Sequence, residues 1–253
     1  MVQRNYQYDY SKSHNELYNS YEREQKASKI ISIIEDFYLF KNISIKDLNL
    51  LDIGCSTGIM TNLLSKYFRE TIGIDIDEEA MSYAKKNFES RNLHFLFQDS
   101  MNIQFAENSF DVINCTHIYE HVPDSSTLLD EIHRVLKPGG ICFFSAANRY
   151  IIIEPHYRLP FLSWLPRYLA NKYLKLFRNI DYYYESLLPY GKLKKLVRDF
   201  EITDYTTRVI RDPVKYHATE MIKPDSLAQK IYLFLLNYML WISPTYLWIL
   251  QKK

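Results

Sequence analysis

Between Asn49 and Ala146 short apolar runs alternate with segments of helical period, and few folds accommodate that rhythm. The apolar runs are Asn49–Ile53, Thr71–Ile76, Leu93–Phe97, Phe110–Cys115 and Ile141–Ala146. They are short, bounded by turn-forming residues and rich in Ile, Leu and Phe, as expected of strands buried on both faces. Gly58–Phe68, Glu78–Ser90 and Ser125–Leu136 repeat their apolar residues every three or four positions and read as helices. Lys137-Pro138-Gly139-Gly140 reads as a helix stop followed by a turn. Strand–helix–strand alternation implies an α/β fold with a parallel sheet covered by helices on both faces. Such sheets take their ligands beyond the carboxyl ends of the strands.

Around this block the pattern changes. Residues 1–47 read as an N-terminal helical segment, helical from about residue 15, with Leu17, Tyr21, Ile30, Ile34 and Phe37 at near-helical spacing. After Ala147, residues 148–185 hold Pro155, Pro160 and Pro166 among many aromatics, and basic residues outnumber acidic ones. This stretch reads as an inserted lid. A helix over Ser186–Arg198, a strand over Glu201–Ile210, a helical insertion over about 213–242 and a last strand, Thr245–Leu250, complete the expected order. Residues 48–253 are thus expected to form the main domain. The apolar run Ile231–Ile242 is shorter than the roughly 20 residues a membrane span needs.

Composition excludes several function classes. Lys+Arg 31 against Asp+Glu 30 leaves a formal charge of +1, without the basic surplus of a nucleic-acid binder. Cys55, Cys115 and Cys142 are odd in number and lack metal-ligand spacing, so no disulfide framework or zinc-cysteine site is expected. The polar N-terminus lacks the apolar core of a signal peptide, and a cytoplasmic location is expected.

Chemistry concentrates at the ends of the apolar runs. Asp52-Ile53-Gly54-Cys55-Ser56-Thr57-Gly58 turns a strand sharply into a helix, which glycine permits by tolerating positive φ. A P-loop would need Lys where Ile59 follows Gly58, and the dinucleotide fingerprint needs a different glycine spacing. Asp75 ends the second run, where an acid can accept ribose hydroxyls. Gln98-Asp99-Ser100 ends the third, with helix capping as the alternative role of Asp99.

These residues, together with Phe110-Asp111, Glu120-His121…Asp124 and Leu136-Lys137-Pro138-Gly139-Gly140, resemble the motifs of the class I S-adenosylmethionine-dependent methyltransferases. The resemblance covers about residues 48–146. Ser56 departs from the family's middle glycine. It implies a three-layer Rossmann-like sheet, mostly parallel with an antiparallel last strand, plus the aromatic-rich lid. It also implies S-adenosylmethionine as cofactor, held by Asp52, Gly54, Cys55, Ser56, Gly58, Asp75, Ile76, Asp99, Ser100 and Thr116. A hydroxyl acceptor needs its proton removed, and His121, His156 and His117 are the candidate bases, His121 foremost.

His117-x-x-Glu120-His121 also fits an inverted zinc-protease pattern, but it opens from a strand end and Pro123 follows closely, so no metal is assigned. A magnesium-assisted variant, as in some quinone O-methyltransferases, stays open. The lid is similar, more weakly, to those of methyltransferases of bacterial surface-polysaccharide synthesis. The expected acceptor is therefore a sugar-containing or lipid-linked small molecule. The lid and the C-terminal apolar helix are a candidate peripheral contact with the inner face of the membrane. A quinone-type acceptor, a non-catalytic S-adenosylmethionine-binding protein and, more remotely, a nicotinamide oxidoreductase are the alternatives.

Overall fold

The computed structural model describes residues 6–8, 10–39 and 41–253. The polar residues 1–5 of the N-terminus lie outside that set. A short turn of helix, α1 (Tyr10–Ser13), precedes the long α2 (Ser20–Leu39). Then follow β1 (Asn49–Ile53), α3 (Ile59–Ser65), β2 (Glu70–Asp75), α4 (Glu78–Phe88), β3 (Leu93–Phe97), β4 (Phe110–Thr116), α5 (Ser125–Val135) and β5 (Leu136–Ala147). The lid carries a small hairpin, β6 (Ile153–Glu154) with β7 (Leu159–Pro160), and α6 (Arg167–Arg178). The chain closes with α7 (Tyr190–Leu196), β8 (Phe200–Asp204), α8 (Thr206–Arg211), α9 (Leu227–Met239) and β9 (Thr245–Lys252).

Among the described residues the main sheet has seven strands in the order β3-β2-β1-β4-β5-β9-β8. β1 to β5 pair in parallel, and β9 runs antiparallel to both its neighbours, β5 and β8. This is the expected three-layer α/β sheet with its reversed last strand. Its faces are read directly from the period of two in each strand. Leu50, Val112, Ile141, Phe143 and Ile249 pack under α2 with Ile30, Ile33 and Ile34. Their neighbours Leu51, Ile113, Cys142 and Trp248 pack on the other face with Leu128, Ile132 and Leu193. The N-terminal helix therefore shares its core with the sheet.

Acidic caps start two of the crossover helices. Asp77 accepts from Ala80 N at 3.1 Å to open α4, and Asp124 accepts from Ser126 N at 2.8 Å to open α5.

Three expectations are corrected in detail. The segment Glu201–Ile210 is a strand only to Asp204, and Thr206–Arg211 is helix. Thr206, Val209 and Ile210 are the buried positions, an i, i+3, i+4 spacing that fits one face of a helix and not of a strand. Asp204 starts the turn by accepting from Thr206 N at 2.8 Å, while its other oxygen takes Trp248 Nε1 at 3.0 Å. The helix expected from Ser186 begins at Tyr190, because Pro189 disfavours helix at the residue before it. Lys137–Gly140 lies within β5, where the register slips between Phe110 and Val112 and Gly139 takes φ +74°.

A polar knot ties α2 to α8 and the segment after it. The Asp36 carboxylate accepts from Tyr205 Oη at 3.0 Å, Tyr216 Oη at 3.1 Å and Lys215 Nζ. Burial opposes ionisation, but the bonds from Lys215, Tyr205 and Tyr216 outweigh it and hold the carboxyl below its usual range. A lowered folded pKa adds stability above the unfolded value and loses it as pH falls through the folded one. Asp36→Asn is expected to cost roughly 1–3 kcal/mol at neutral pH. In denaturant melts the difference from the parent should shrink once pH drops below about 4; a constant difference would contradict the assignment.

Candidate cofactor and active site

The sheet reverses its winding between β1 and β4, and ligands of open α/β sheets bind at such a switch point. A cavity of about 390 Å³ lies there, within the usual range for a small-molecule site. Of the residues expected to hold the cofactor, Gly54, Ser56, Asp75, Ile76, Asp99, Ser100 and Thr116 line it, and so do all three histidines. Asp52, Cys55 and Gly58 do not.

The loop after β1 shows why. Gly54 has φ +70°, and a Cβ there would fall 2.1 Å from Ile118 Cδ1, so close approach is required. Gly58 has φ +74° and its Cβ would meet Ala84 and the Phe95 ring at 2.7–2.8 Å. Its constraint is helix-to-sheet packing rather than contact with a ligand. Ser56, at the middle glycine's place, also takes a left-handed conformation, φ 50°. Cys55 turns into the core, its Sγ 3.5 Å from Met81 Sδ. Asp52 is fully buried and braces the loop from below, accepting from Thr61 Oγ1 at 2.5 Å and Asn114 Nδ2 at 2.6 Å. Burial lifts its pKa to about 6, against the pull of those two bonds.

Asp75 is held by three backbone amides: Ser56 N at 2.8 Å, Ile76 N at 2.7 Å and Asp77 N at 3.0 Å. Burial nonetheless raises its pKa. A carboxylate offers about four acceptor positions, so lone-pair capacity remains for hydroxyls of a ligand. Asp99 uses its two oxygens differently. One oxygen caps the following turn, accepting from Met101 N at 2.8 Å, and the other faces the cavity, where Tyr6 Oη donates to it at 2.5 Å.

The histidines separate into two groups. His117 has both ring nitrogens bonded within the protein, Nδ1 to Glu120 at 3.1 Å and Nε2 with Ser145 Oγ at 3.1 Å. His121 and His156 face each other edge to face, ring centres 4.9 Å apart. Burial drives the His121 pKa down to about 3 and keeps the ring neutral. Burial also works against the His156 cation, but the 2.6 Å bond to Glu154 and the charges of Glu154, Glu185 and Glu120 outweigh it and raise the pKa to about 9.

Sequence reasoning missed the cover of the site. The N-terminal segment crosses the cavity: Tyr6 is on Asp99, Gln7 Oε1 lies 2.8 Å from His121 Nδ1, and Ser11 N donates to Asp77 at 2.7 Å. Leu17 O accepts from Thr57 Oγ1 at 3.0 Å, tying the cover to the glycine loop. Arg23 and Lys26 of α2 add basic groups to the lining. The available signal was the aromatic cluster Tyr6, Tyr8 and Tyr10 ahead of the first long helix.

An acid at the end of β2, another after β3 and a positive-φ loop between β1 and α3 are arranged as in nucleoside-binding α/β domains. Residues 51–144 match the family model described as a methyltransferase domain. That part of the chain is a class I methyltransferase domain, the kind that uses S-adenosylmethionine as cofactor. The chain is 31% identical over 126 residues to the ubiquinone biosynthesis O-methyltransferase of Coxiella burnetii (strain Dugway 5J108-111), covering 49% of this chain and 54% of that protein. It is 34% identical over 106 residues to the enzyme of the same name from Actinobacillus pleuropneumoniae serotype 7 (strain AP76), covering 39% and 45%. The chain thus spans about half the length of the curated relatives it matches.

Among solved structures it is similar in fold to the plantazolicin methyltransferase BpumL, in complex with a monoazolic desmethylPZN analog and SAH. The TM-score is 0.59 at 21% identity, over 96% of this chain and 89% of that one. An S-adenosylmethionine-dependent methyltransferase from Mesorhizobium loti gives 0.55 at 19% identity, over 83% and 93%.

Proposed function

We propose that this chain transfers a methyl group from S-adenosylmethionine to a hydroxyl of a lipid-linked or sugar-containing small molecule. The observation that carries the reading is one cavity that holds both Asp75 and Asp99, suited to a ribose and an adenine, and the His121–His156 pair. In the step, the bond between the methyl carbon and sulfur breaks and the electron pair stays on sulfur, giving S-adenosylhomocysteine. The acceptor oxygen forms the new bond and loses its proton at the histidine end of the cavity. A sulfonium is already a good leaving group, so alignment and exclusion of water supply most of the rate, on the scale of roughly 7–11 kcal/mol. Arg23 and Lys26 are suited to the cofactor's carboxylate.

The lid supports an acceptor carried on lipid. It has a small core of its own in Leu159, Leu162, Ala170, Leu174 and Tyr183, so many of its aromatics serve packing. Ile152, Ile153, Phe161 and Trp164 are nevertheless exposed. Tyr150 joins them to Trp241, in the turn just after α9, with ring centres 5.5 Å from Trp164 and 6.3 Å from Trp241. An apolar tip beside Arg149 and Arg158 fits contact with the inner face of a membrane. No helix among the described residues is long and apolar enough to cross one.

A quinone-type phenol is the second reading, favoured by the similarity to ubiquinone biosynthesis O-methyltransferases. Turnover of S-adenosylmethionine labelled on the methyl group, with polyprenyl-linked sugars, free sugars and phenolic quinone precursors as acceptors, tests both. Label is expected in a lipid-linked product. Transfer only to phenols would favour the second reading, and tight cofactor binding without transfer to any acceptor would contradict both.

A further inference from the structure

We infer that His121, His156 and Glu185 form a binding site for one divalent transition-metal ion of the zinc class. One donor atom from each lies within 4.8 Å of the other two, a spread that a single ion can bridge. Two of these residues come from opposite ends of the lid and one from the loop after β4, so the fold assembles the group.

Each donor is oriented. His156 directs Nδ1 to Glu154 at 2.6 Å, which leaves Nε2 as its free ligand atom. Glu154 is fully buried, and its other oxygen accepts from Tyr157 N at 2.9 Å. A carboxylate behind an imidazole is the usual support of a metal-ligating histidine. His121 Nδ1 lies 3.9 Å from Glu185 Oε1, and the Gln7 amide bridges the two, accepting from Nδ1 at 2.8 Å and donating to Oε1 at 3.4 Å; an ion held by these atoms would take the place of Gln7.

Glu185 supplies the second observation. Its side chain is 2% exposed, and Oε2 has no hydrogen-bond partner. A buried carboxylate oxygen without a donor is costly unless a cation meets it. The surroundings favour one. Glu120, Glu154 and Glu185 are all buried here, a concentration of carboxyl groups away from water. Glu120 turns to His117, at 3.1 Å, and stands outside the group. Two imidazoles and one carboxylate suit zinc-class ions, whereas magnesium prefers oxygen donors and water. That such an ion would sharpen the acidity of an acceptor hydroxyl rests on the function proposed above; the ion site itself does not.

The test adds Co²⁺ alone to chelator-treated full-length protein, read by visible absorption and calorimetry. One equivalent should bind with the bands of a low-coordinate ion, and Zn²⁺ should displace it. Glu185→Gln should weaken uptake about 100-fold or more and Glu154→Gln about 10- to 100-fold, with unchanged far-UV circular dichroism. In the unmodified chain, Zn²⁺ should protect His121 and His156 from diethyl pyrocarbonate while the exposed His217 keeps reacting. That mapping decides the matter if a variant fails to fold. Absent Co²⁺ uptake, uptake of Mg²⁺ alone, or protection of other histidines would overturn the inference. S-adenosylhomocysteine titrations on the same samples separate the two ideas, since either site can fail while the other binds.

Discussion

Asp75→Ala is expected to weaken S-adenosylmethionine binding by about 1.5–3 kcal/mol, the scale of hydrogen bonds to a charged group. That corresponds to a roughly 10- to 150-fold rise in dissociation constant. Two losses combine. The ribose loses its acceptor, and the backbone amides of Ser56, Ile76 and Asp77 lose the carboxylate that gathers them around the cavity. Calorimetry with S-adenosylhomocysteine measures the change directly. Asp75→Asn separates the losses, because an amide oxygen still accepts from part of the backbone set. Unaltered affinity in folded Asp75→Ala would remove this residue from the site.

The second large effect is expected at Gly54. Valine there must adopt φ +70°, which costs a side-chain-bearing residue about 1–2 kcal/mol, more for a branched one. Its Cβ also has to displace Ile118, whose Cδ1 lies 2.1 Å from that position, and overpacking adds about 1–3 kcal/mol. For a chain of this size the sum lowers the melting temperature by roughly 5–15 °C. Because Ile118 lines the cavity, cofactor affinity should fall with it. Ile118→Ala in the Gly54→Val background should recover part of the loss. A single variant with parental melting and binding would show that the loop is not held as described.

The parallel core of the fold was legible because the signals were local and repeated. Each buried strand is a short apolar run, and Asp75 and Asp99 stand at or just after the end of one, so the sequence pattern alone locates them. Where local pattern misled, tertiary packing had decided. Thr206-Thr207-Arg208-Val209-Ile210 is β-branched except at Arg208 and reads as strand, yet it coils so that positions 206, 209 and 210 all face the core. Cys55 and Gly58 belong to the motif, but their surroundings are Met81, Ala84 and Phe95, contacts that sequence distance hides. In sequence His117, His121 and His156 were all candidate bases, with His121 foremost. Tertiary contacts set them apart: His117 bonds to Glu120 and Ser145, whereas His121 and His156 face each other. The N-terminal cover was out of reach for a similar reason: Tyr6 and Asp99 meet across 93 positions of chain.

The most direct test titrates S-adenosylhomocysteine and, separately, NAD into the purified protein, with heat and thermal shift as readouts. A single site for the first, in the micromolar range or tighter, with no response to the second, is the predicted result. Folded protein that ignores S-adenosylhomocysteine at millimolar concentration, or that prefers NAD, would contradict the account.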